Sequence, residues 1–354
     1  MPSFALDAES VRTRDPQDML GRVYRLADVA GPAFARGAAW RPPALRPRQI
    51  LVAGMGGSAI SGDLARTLLA PAWDIPVAVW RQPGLPRWAS PADLLVFLSY
   101  SGETSETLAA FGEAAARGIP GVAITVGGTL AARAGAAGIP ILPLSPGWQP
   151  RAALGELYFT LLGVLHALGA PIDPEPALAT LRARREEYGP ATRDNLAMRI
   201  AATLQGTGAH NGGPRLPAAV FGVASSTEAV ALRWKCQLNE NAKATVLYNV
   251  FPELTHNEIV NLATAGPTRG PLIVLRDPAD PPLLRRQVDA AIDLLGGAAY
   301  DLQGEGPDAL ARQLSLVLLG DYASVYLAVL AGVDPMPVEP IVALKGRMNA
   351  GGTE

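Results

Sequence analysis

Short apolar runs alternate with alanine-rich segments of helical length through the first half of the chain. The apolar runs predict buried strands over residues 49–54, 75–80, 93–100, 121–126 and 139–145. The segments between and after them predict helices over residues 58–69, 104–118, 128–138 and 151–168. Strands that alternate with helices of about 10–15 residues favour a parallel sheet with helices on both faces.

The second half of the chain repeats this plan. Strands are predicted over residues 218–223, 245–250, 271–276 and 299–303, and a Ser225-Ser226 turn follows the first of them. The charged stretch before it contains no strand pattern, and its run GTGAHNGGPR (206–215) predicts a loop. We therefore expect an α/β fold with two similar halves. Its predicted parts are an N-terminal helical segment (1–40), a first subdomain (41–170), connecting helices and a loop (171–215), and a second subdomain (216–354).

Composition narrows the class of protein. The chain has 354 residues and a net charge of −2, so its charge gives no reason to expect binding to nucleic acid or to an anionic membrane. Cys236 is its one cysteine, which excludes an intrachain disulfide and fits a reducing compartment. The N-terminus does not have the pattern of a signal peptide, and no uncharged apolar run reaches 18 residues. These features predict a cytoplasmic protein.

Almost all basic residues of the chain are arginines. Only three of the 30 are lysines, namely Lys235, Lys243 and Lys345. A codon bias towards arginine would explain the rest. An ammonium group shifts its pKa and delivers protons more readily than a guanidinium group. Each of these lysines is therefore either retained by chance or retained for its function.

A glycine-rich run, GMGGSAISGD (54–63), follows the first strand and opens a helix. Gly56, Gly57 and Ser58 would let the backbone approach an anion at the helix N-terminus. The spacing also satisfies a loose dinucleotide-binding fingerprint, which requires an acidic residue at the end of the second strand. That strand ends at Trp80-Arg81-Gln82, with no acid. Arg81 could still serve the extra phosphate of NADP, so this alternative stays open.

A second polar loop follows the third strand. Ser99, Ser101 and Thr104 place three hydroxyl groups beside a predicted helix N-terminus, at the edge where parallel sheets bind ligands. One capping hydroxyl would satisfy the helix. Three of them next to a glycine loop fit a phosphate monoester better. Neither loop has the G-x-x-x-x-G-K-[ST] pattern of a nucleoside triphosphate site.

Polar residues are also dense in RWKCQLNENAKATVLYNVFPELTHNE (233–258). Glu240 falls near a predicted helix end and His256 near the start of the next helix. A glutamate on a helix is usually a solvated surface group, and a lone histidine is usually structural. Neither residue type by itself identifies a catalytic group.

The two polar loops resemble those of the sugar isomerase (SIS) superfamily, whose members bind phosphosugars. The runs RWK-Q-NENAK and YNVFPEL-HNEI closely resemble the bifunctional phosphoglucose/phosphomannose isomerases within it. The likeness extends to GMGGS, SYSGET, PRAALGEL (150–157) and DPMPVEPIVALK (334–345). It implies two SIS-type subdomains and a metal-free, cofactor-free isomerisation of a phosphorylated hexose between glucose or mannose 6-phosphate and fructose 6-phosphate.

The resemblance also implies roles for individual residues. Glu240 matches the base that moves a proton between C1 and C2 through a cis-enediol, and Arg151 matches the cation that stabilises the enediolate. His256 matches the group that helps to open the sugar ring, and Lys345 assists it. The family's histidine comes from the partner subunit, which implies a homodimer. The implied substrate-binding residues are Gly56, Gly57, Ser58, Ser99, Ser101 and Thr104.

Two positions depart from the family pattern. Glu103 stands where many SIS isomerases have asparagine, and we expect its carboxylate to point to solvent, away from a phosphate. Met336 stands where relatives often carry threonine, which leaves the use of mannose 6-phosphate open. Two other functions remain as alternatives, a phosphosugar-binding regulator without catalysis and a dinucleotide-dependent oxidoreductase.

Overall fold

The first of two parallel sheets contains five strands. The computed structural model describes residues 6, 8–190, 192, 194–206, 217–266 and 270–350, so the predicted loop 206–215 lies almost entirely outside the described residues. The strands run in the order β2-β1-β3-β4-β5, and every neighbouring pair is parallel. They are β1 (Ile50–Ala53), β2 (Val77–Trp80), β3 (Leu94–Leu98), β4 (Gly121–Thr125) and β5 (Ile141–Pro143).

Helices cover both faces of this sheet, because successive residues of its central strands are apolar on both sides. The helices of this half are α1 (Ala8–Arg14), α2 (Met19–Ala38), α3 (Gly56–Leu69), α4 (Ser105–Ala116), α5 (Gly128–Ala136) and α6 (Leu154–Ala167). Leu95 and Phe97 of β3 pack under α4 and α5. Val96 and Leu98 face the opposite way, into the main core with α2, α3 and α6. This alternation is the period-2 geometry of a strand that is buried on both faces.

The second half of the chain builds a second parallel sheet in the order β7-β6-β8-β9. Its strands are β6 (Ala218–Val223), β7 (Val246–Phe251), β8 (Leu272–Arg276) and β9 (Tyr300–Gln303). The helices are α7 (Glu175–Tyr188), α8 (Leu196–Gln205), α9 (Glu228–Ala242), α10 (Glu258–Ala265), α11 (Pro282–Leu294), α12 (Ala309–Ala331) and α13 (Glu339–Ala350). The predicted α/β class with two helix-flanked parallel sheets is confirmed.

Helix α12 forms the centre of the main core. It is long and apolar enough to cross a membrane, but 89% of its most apolar window is buried inside the fold. It packs against α7, α8 and α9. This packing explains why α12 is apolar on all sides, since a helix that is surrounded by other elements has no solvent-facing stripe.

The strand order determines where a ligand can bind. In the first sheet, β2 lies on one side of β1 and β3 on the other, so the order reverses between β1 and β3. Open α/β sheets bind ligands at such a reversal, beyond the carboxyl ends of the strands. The loops after β1 and β3 are therefore neighbours at the binding edge.

Candidate active site

The loop after β1 lies against a short 3-10 turn, Pro150–Ala152, which carries Arg151. Gly56 has a positive φ of 51°. A Cβ on Gly57 would lie 2.7 Å from the carbonyl oxygen of Pro150, so only glycine permits this close approach. Helix α3 starts here, and the first amides of a helix lack partners within it. Its N-terminus thus offers donors to an anion beside Arg151.

The loop after β3 presents the predicted hydroxyl groups. The hydroxyls of Ser99 and Thr104 are 3.0 Å apart, and Ser99 Oγ accepts a hydrogen bond from the amide of Gly102 at 3.1 Å. Ser101 Oγ is exposed and accepts from the Glu103 amide at 3.2 Å. Thr104 precedes α4 but makes no side-chain capping bond to it. Helix capping therefore does not account for this hydroxyl.

The Arg151 guanidinium group is buried, with 4% of its side chain exposed. Its Nε donates to Asn241 Oδ1 at 2.7 Å, and one terminal nitrogen donates to the carbonyls of Pro335 at 2.7 Å and Met336 at 2.9 Å. The other terminal nitrogen lies 3.6 Å from Glu240 Oε2. Three hydrogen bonds thus fix the orientation of the fork, while its remaining edge faces the predicted base.

The Glu240 carboxylate lies in the last turn of α9 and is one-third exposed. Burial raises the pKa of Glu240, and the positive charge of Arg151 partly offsets this effect. A raised pKa brings a carboxylate closer to the range in which it accepts and returns a proton near neutral pH. The structure therefore brings together Glu240, Arg151 and the loop after β1.

A buried polar network holds α9 against α12. Arg233 makes a bidentate pair with Asp321 at 2.9 and 2.6 Å, and it also donates to the Arg151 carbonyl at 3.0 Å. Gln237 donates to Asp321 at 2.9 Å, and Asn241 donates to a hydroxyl of α12 at 2.9 Å. Sequence reasoning assigned no role to these residues. Their spacing of four along α9 was the available signal, since it puts polar groups on one face of a buried helix.

Lys243 is a further residue to which the sequence assigned no specific role. It ends α9 in a left-handed conformation, with φ at 54°. Its Nζ donates to the carbonyls of Asp334 at 2.8 Å and Asn241 at 3.2 Å, and it lies 3.4 Å from the carbonyl of Pro335. The lysine therefore contacts the segment between α12 and α13 (residues 332–338), and carbonyls of the same segment bind Arg151.

His256 and Lys345 are exposed residues of the second half of the chain. His256 ends a 3-10 turn, Glu253–His256, after β7 and is exposed. Lys345 is exposed on α13. Across the described residues, neither side chain forms a hydrogen bond or ion pair with Glu240 or Arg151.

The structure shows the surroundings of the two departures from the family pattern. Glu103 is exposed, as expected, and its carboxylate accepts from the amide and hydroxyl of Thr129 at 2.7 and 2.8 Å. It therefore stabilises the start of α5, and these bonds lower the pKa of Glu103. Met336 is buried, and it contacts Arg151 through its backbone carbonyl.

Two observations on the described residues concern cofactor and metal binding. Arg81, which an NADP phosphate would need, forms an ion pair with Asp63 of α3. Within the described ranges, no three His, Cys, Asp or Glu side chains cluster so as to hold a metal ion. The arrangement is suited to bind an anion and to move a proton next to a fixed cation.

Comparison with known proteins agrees with this geometry. Residues 45–139 match the SIS domain, and residues 193–348 match the bacterial phospho-glucose isomerase C-terminal SIS domain. The C-terminal domain of glucosamine-fructose-6-phosphate aminotransferase from Francisella tularensis has a similar fold, with a TM-score of 0.62 and 14% identity over 90% of this chain and 97% of that one.

Curated relatives are similar over nearly their whole length. A bifunctional phosphoglucose/phosphomannose isomerase from Caldicellulosiruptor bescii is 37% identical over 85% of this chain and 89% of its own. One from Aquifex aeolicus is 34% identical over 85% of this chain and 90% of its own. The chain belongs to the family of bifunctional phosphoglucose/phosphomannose isomerases.

Proposed function

We propose that the chain is an aldose–ketose isomerase that interconverts glucose 6-phosphate and fructose 6-phosphate, and also accepts mannose 6-phosphate. Its relatives carry both activities in their names. The observation that carries the proposal is the pairing of Glu240 with buried Arg151, 3.6 Å apart, beside the glycine loop. A regulator that only binds phosphosugars needs the phosphate-binding loops but not a base with a raised pKa.

The phosphate binds at the loops that follow the neighbouring strands β1 and β3, where α3 and α4 begin. Backbone amides at the start of α3, including those of Gly56 and Gly57, supply donors and a partial positive charge. Ser58, Ser99, Ser101 and Thr104 add hydroxyl donors from the two loops. These groups would anchor the sugar at its phosphate and leave C1 and C2 towards Glu240.

Proton transfer then follows from the charges at the site. The Glu240 carboxylate removes the proton from C2 of the open-chain aldose, and the electrons of the C–H bond form the enediolate double bond. Arg151 stabilises the negative charge that develops on the sugar oxygen. Glu240 returns the proton to C1, and a proton shift between the two oxygens completes the ketose. No redox partner is required, because the oxidation at C2 balances the reduction at C1.

Ring opening requires an acid–base group that acts on the ring oxygen, and in the described residues His256 and Lys345 form no hydrogen bond or ion pair with Glu240. We propose that His256 reaches the site from the partner subunit of a homodimer and that Lys345 assists it. Their exposure in one chain supports this arrangement, because both side chains are accessible to a second copy. Exposed apolar residues of α13, Ile341, Val342 and Leu344, add surface that a dimer would cover.

The organisation of the chain supports the remaining expectations. We propose the division into 1–40, 41–170, 171–215 and 216–354, with one parallel sheet in each of the two larger parts. The single cysteine, Cys236, suits a protein of the reducing cytoplasm, where an enzyme of sugar-phosphate metabolism would find its substrate.

Turnover of fructose 6-phosphate by the purified protein tests the proposed activity. We expect glucose 6-phosphate and mannose 6-phosphate to form, each measured by its own coupled assay. Parallel calorimetry with fructose 6-phosphate separates the alternatives. Binding without turnover would support a regulator and overturn the isomerase proposal.

A further inference from the structure

Lys243 holds the connector between α12 and α13 against the predicted catalytic groups. The connector comprises residues 332–338, and its carbonyls at Asp334 and Pro335 face the Lys243 ammonium at 2.8 and 3.4 Å. The same Pro335 carbonyl accepts from Arg151 at 2.7 Å. Two cations from different elements therefore share one acceptor.

The conformation of Lys243 adds a second observation. It is one of only three lysines among 30 basic residues, and its φ of 54° lies in the left-handed region. Glycine usually fills that position after a helix, because a side chain is disfavoured there. A lysine at such a position is unexpected if the residue only ends α9.

The geometry of the contacts explains why position 243 is a lysine and not an arginine. An ammonium group directs three donors around one nitrogen, and Lys243 directs its Nζ towards the carbonyls of Asn241, Asp334 and Pro335. A planar guanidinium fork is suited to pairs of parallel acceptors instead. Arginine at this position would keep the charge but not this arrangement.

From these contacts we infer that Lys243 is a positioning residue for the isomerisation. It fixes the connector, and the connector carbonyls of Pro335 and Met336 orient the Arg151 fork towards the reacting oxygens. The connector also leads into α13, which carries Lys345, so the same contact limits where that helix begins. The inference rests on the proposed isomerase function.

Lys243 could instead act on Glu240 through its positive charge alone, and this simpler role has to be tested against positioning of the connector. Positive charge reaches Glu240 from Arg151 on the 3-10 turn and from Arg233, Lys235 and Lys243 on α9. A residue that acted only through its charge would be replaceable by arginine. A residue that acts through the connector would not.

A set of variants separates these roles. Lys243→Gly suits the left-handed conformation and removes the ammonium, so we expect the fold to persist and kcat to fall roughly 10- to 100-fold, as for a catalytic group displaced by about 1 Å. KM should change less than kcat. Lys243→Arg should also lose kcat, and Lys235→Gln, which removes a charge from the same helix, should not reproduce the loss.

A double-mutant cycle tests whether Lys243 acts through Arg151. We expect Lys243→Gly to cost little further activity in an Arg151→Lys enzyme, because the fork that it orients is already absent. If the fold-losses in kcat of Lys243→Gly and Arg151→Lys multiply in the double variant, the inference is wrong. Wild-type kcat in Lys243→Arg would also overturn it.

Hydrogen exchange provides a readout that does not depend on activity. The Met336 amide donates to Asp334 Oδ1 at 2.8 Å, within the connector. We expect this amide to exchange faster in Lys243→Gly than in the wild type or in Lys235→Gln. Unchanged exchange would refute the hold on the connector even in an active enzyme. An inactive wild type with faster exchange in the variant would refute the isomerase function alone.

Discussion

Replacing Glu240 by glutamine keeps the shape of the side chain and removes its ability to accept a proton. The substitution leaves the Arg151 bonds to Asn241, Pro335 and Met336 in place, since none of them involves Glu240. The contact that is lost is the 3.6 Å ion pair. The variant therefore tests proton transfer with little change to the surrounding site.

The expected loss of activity follows from the role of the carboxylate. A positioned general base contributes about 10²- to 10⁴-fold. At about 1.4 kcal/mol for each factor of ten, this corresponds to an activation barrier higher by about 3 to 5 kcal/mol. We expect kcat to fall by this factor and KM for fructose 6-phosphate to change little, because the proposed phosphate-binding groups do not include Glu240.

The thermal stability of Glu240→Gln should not fall with its activity. Burial raises the pKa of Glu240, so the folded chain binds this proton more tightly than the unfolded chain. The stabilising effect of that proton is complete below the unfolded pKa and is lost as the pH rises through the folded pKa. At neutral pH the buried charge is a cost that glutamine avoids. We expect Tm of Glu240→Gln at pH 7 to equal or exceed that of the wild type.

The assay follows formation of glucose 6-phosphate from fructose 6-phosphate, together with exchange of solvent deuterium into carbon-bound positions of the sugar. Glu228→Gln is the matched control, because it makes the same substitution at the start of the same helix, where Glu228 pairs with Arg66 at 2.9 Å. A Glu240→Gln enzyme with kcat within about threefold of the control, or with undiminished deuterium exchange, would refute the assignment of Glu240 as the base, since a lost general base is worth at least about 10²-fold.

Three further substitutions test the rest of the site. Arg151→Lys keeps the charge but loses the fork, and we expect kcat to fall about 10²-fold or more, measured at saturating substrate; near-normal kcat would contradict its role. Gly57→Ala places a Cβ 2.7 Å from the Pro150 carbonyl. The loop must then shift, so KM and the inhibition constant of inorganic phosphate should both rise, and unchanged values would argue against phosphate binding there. His256→Ala mixed and refolded with Glu240→Gln should recover roughly a quarter of wild-type activity, because about half of the dimers are mixed and one of the two sites in each mixed dimer combines both intact residues. No recovery would contradict a site shared between subunits.

Local patterns were sufficient to predict most of the elements of this fold. The apolar runs at 49–54 and 93–100 contain β1 and β3, because strands buried on both faces leave an uninterrupted apolar signal. The glycines at 54, 56 and 57 were recognisable as a motif because the backbone needs them, Gly57 for its approach to the Pro150 carbonyl and Gly56 for its positive φ. Glu240 was predicted to be the base from the resemblance of its surroundings, since the residue type alone does not distinguish a base from a surface carboxylate.

Contacts between distant segments could not be derived in the same way. Arg151 and the Pro335 carbonyl are separated by 184 positions, and Arg233 and Asp321 by 88. Backbone carbonyls carry no sequence signal, so the contacts of the connector with Arg151 and Lys243 were not predictable.

The sequence by itself determined the parallel sheets and the two loops at the carboxyl ends of β1 and β3. These features depend on the period of apolar residues and on the conformations that glycine allows. Only the tertiary structure decided that Arg151 faces Glu240 at 3.6 Å and that a single chain leaves His256 and Lys345 exposed. The physical reason is that proton transfer requires distances within a few ångströms, which depend on how α9, α12 and the connector pack together.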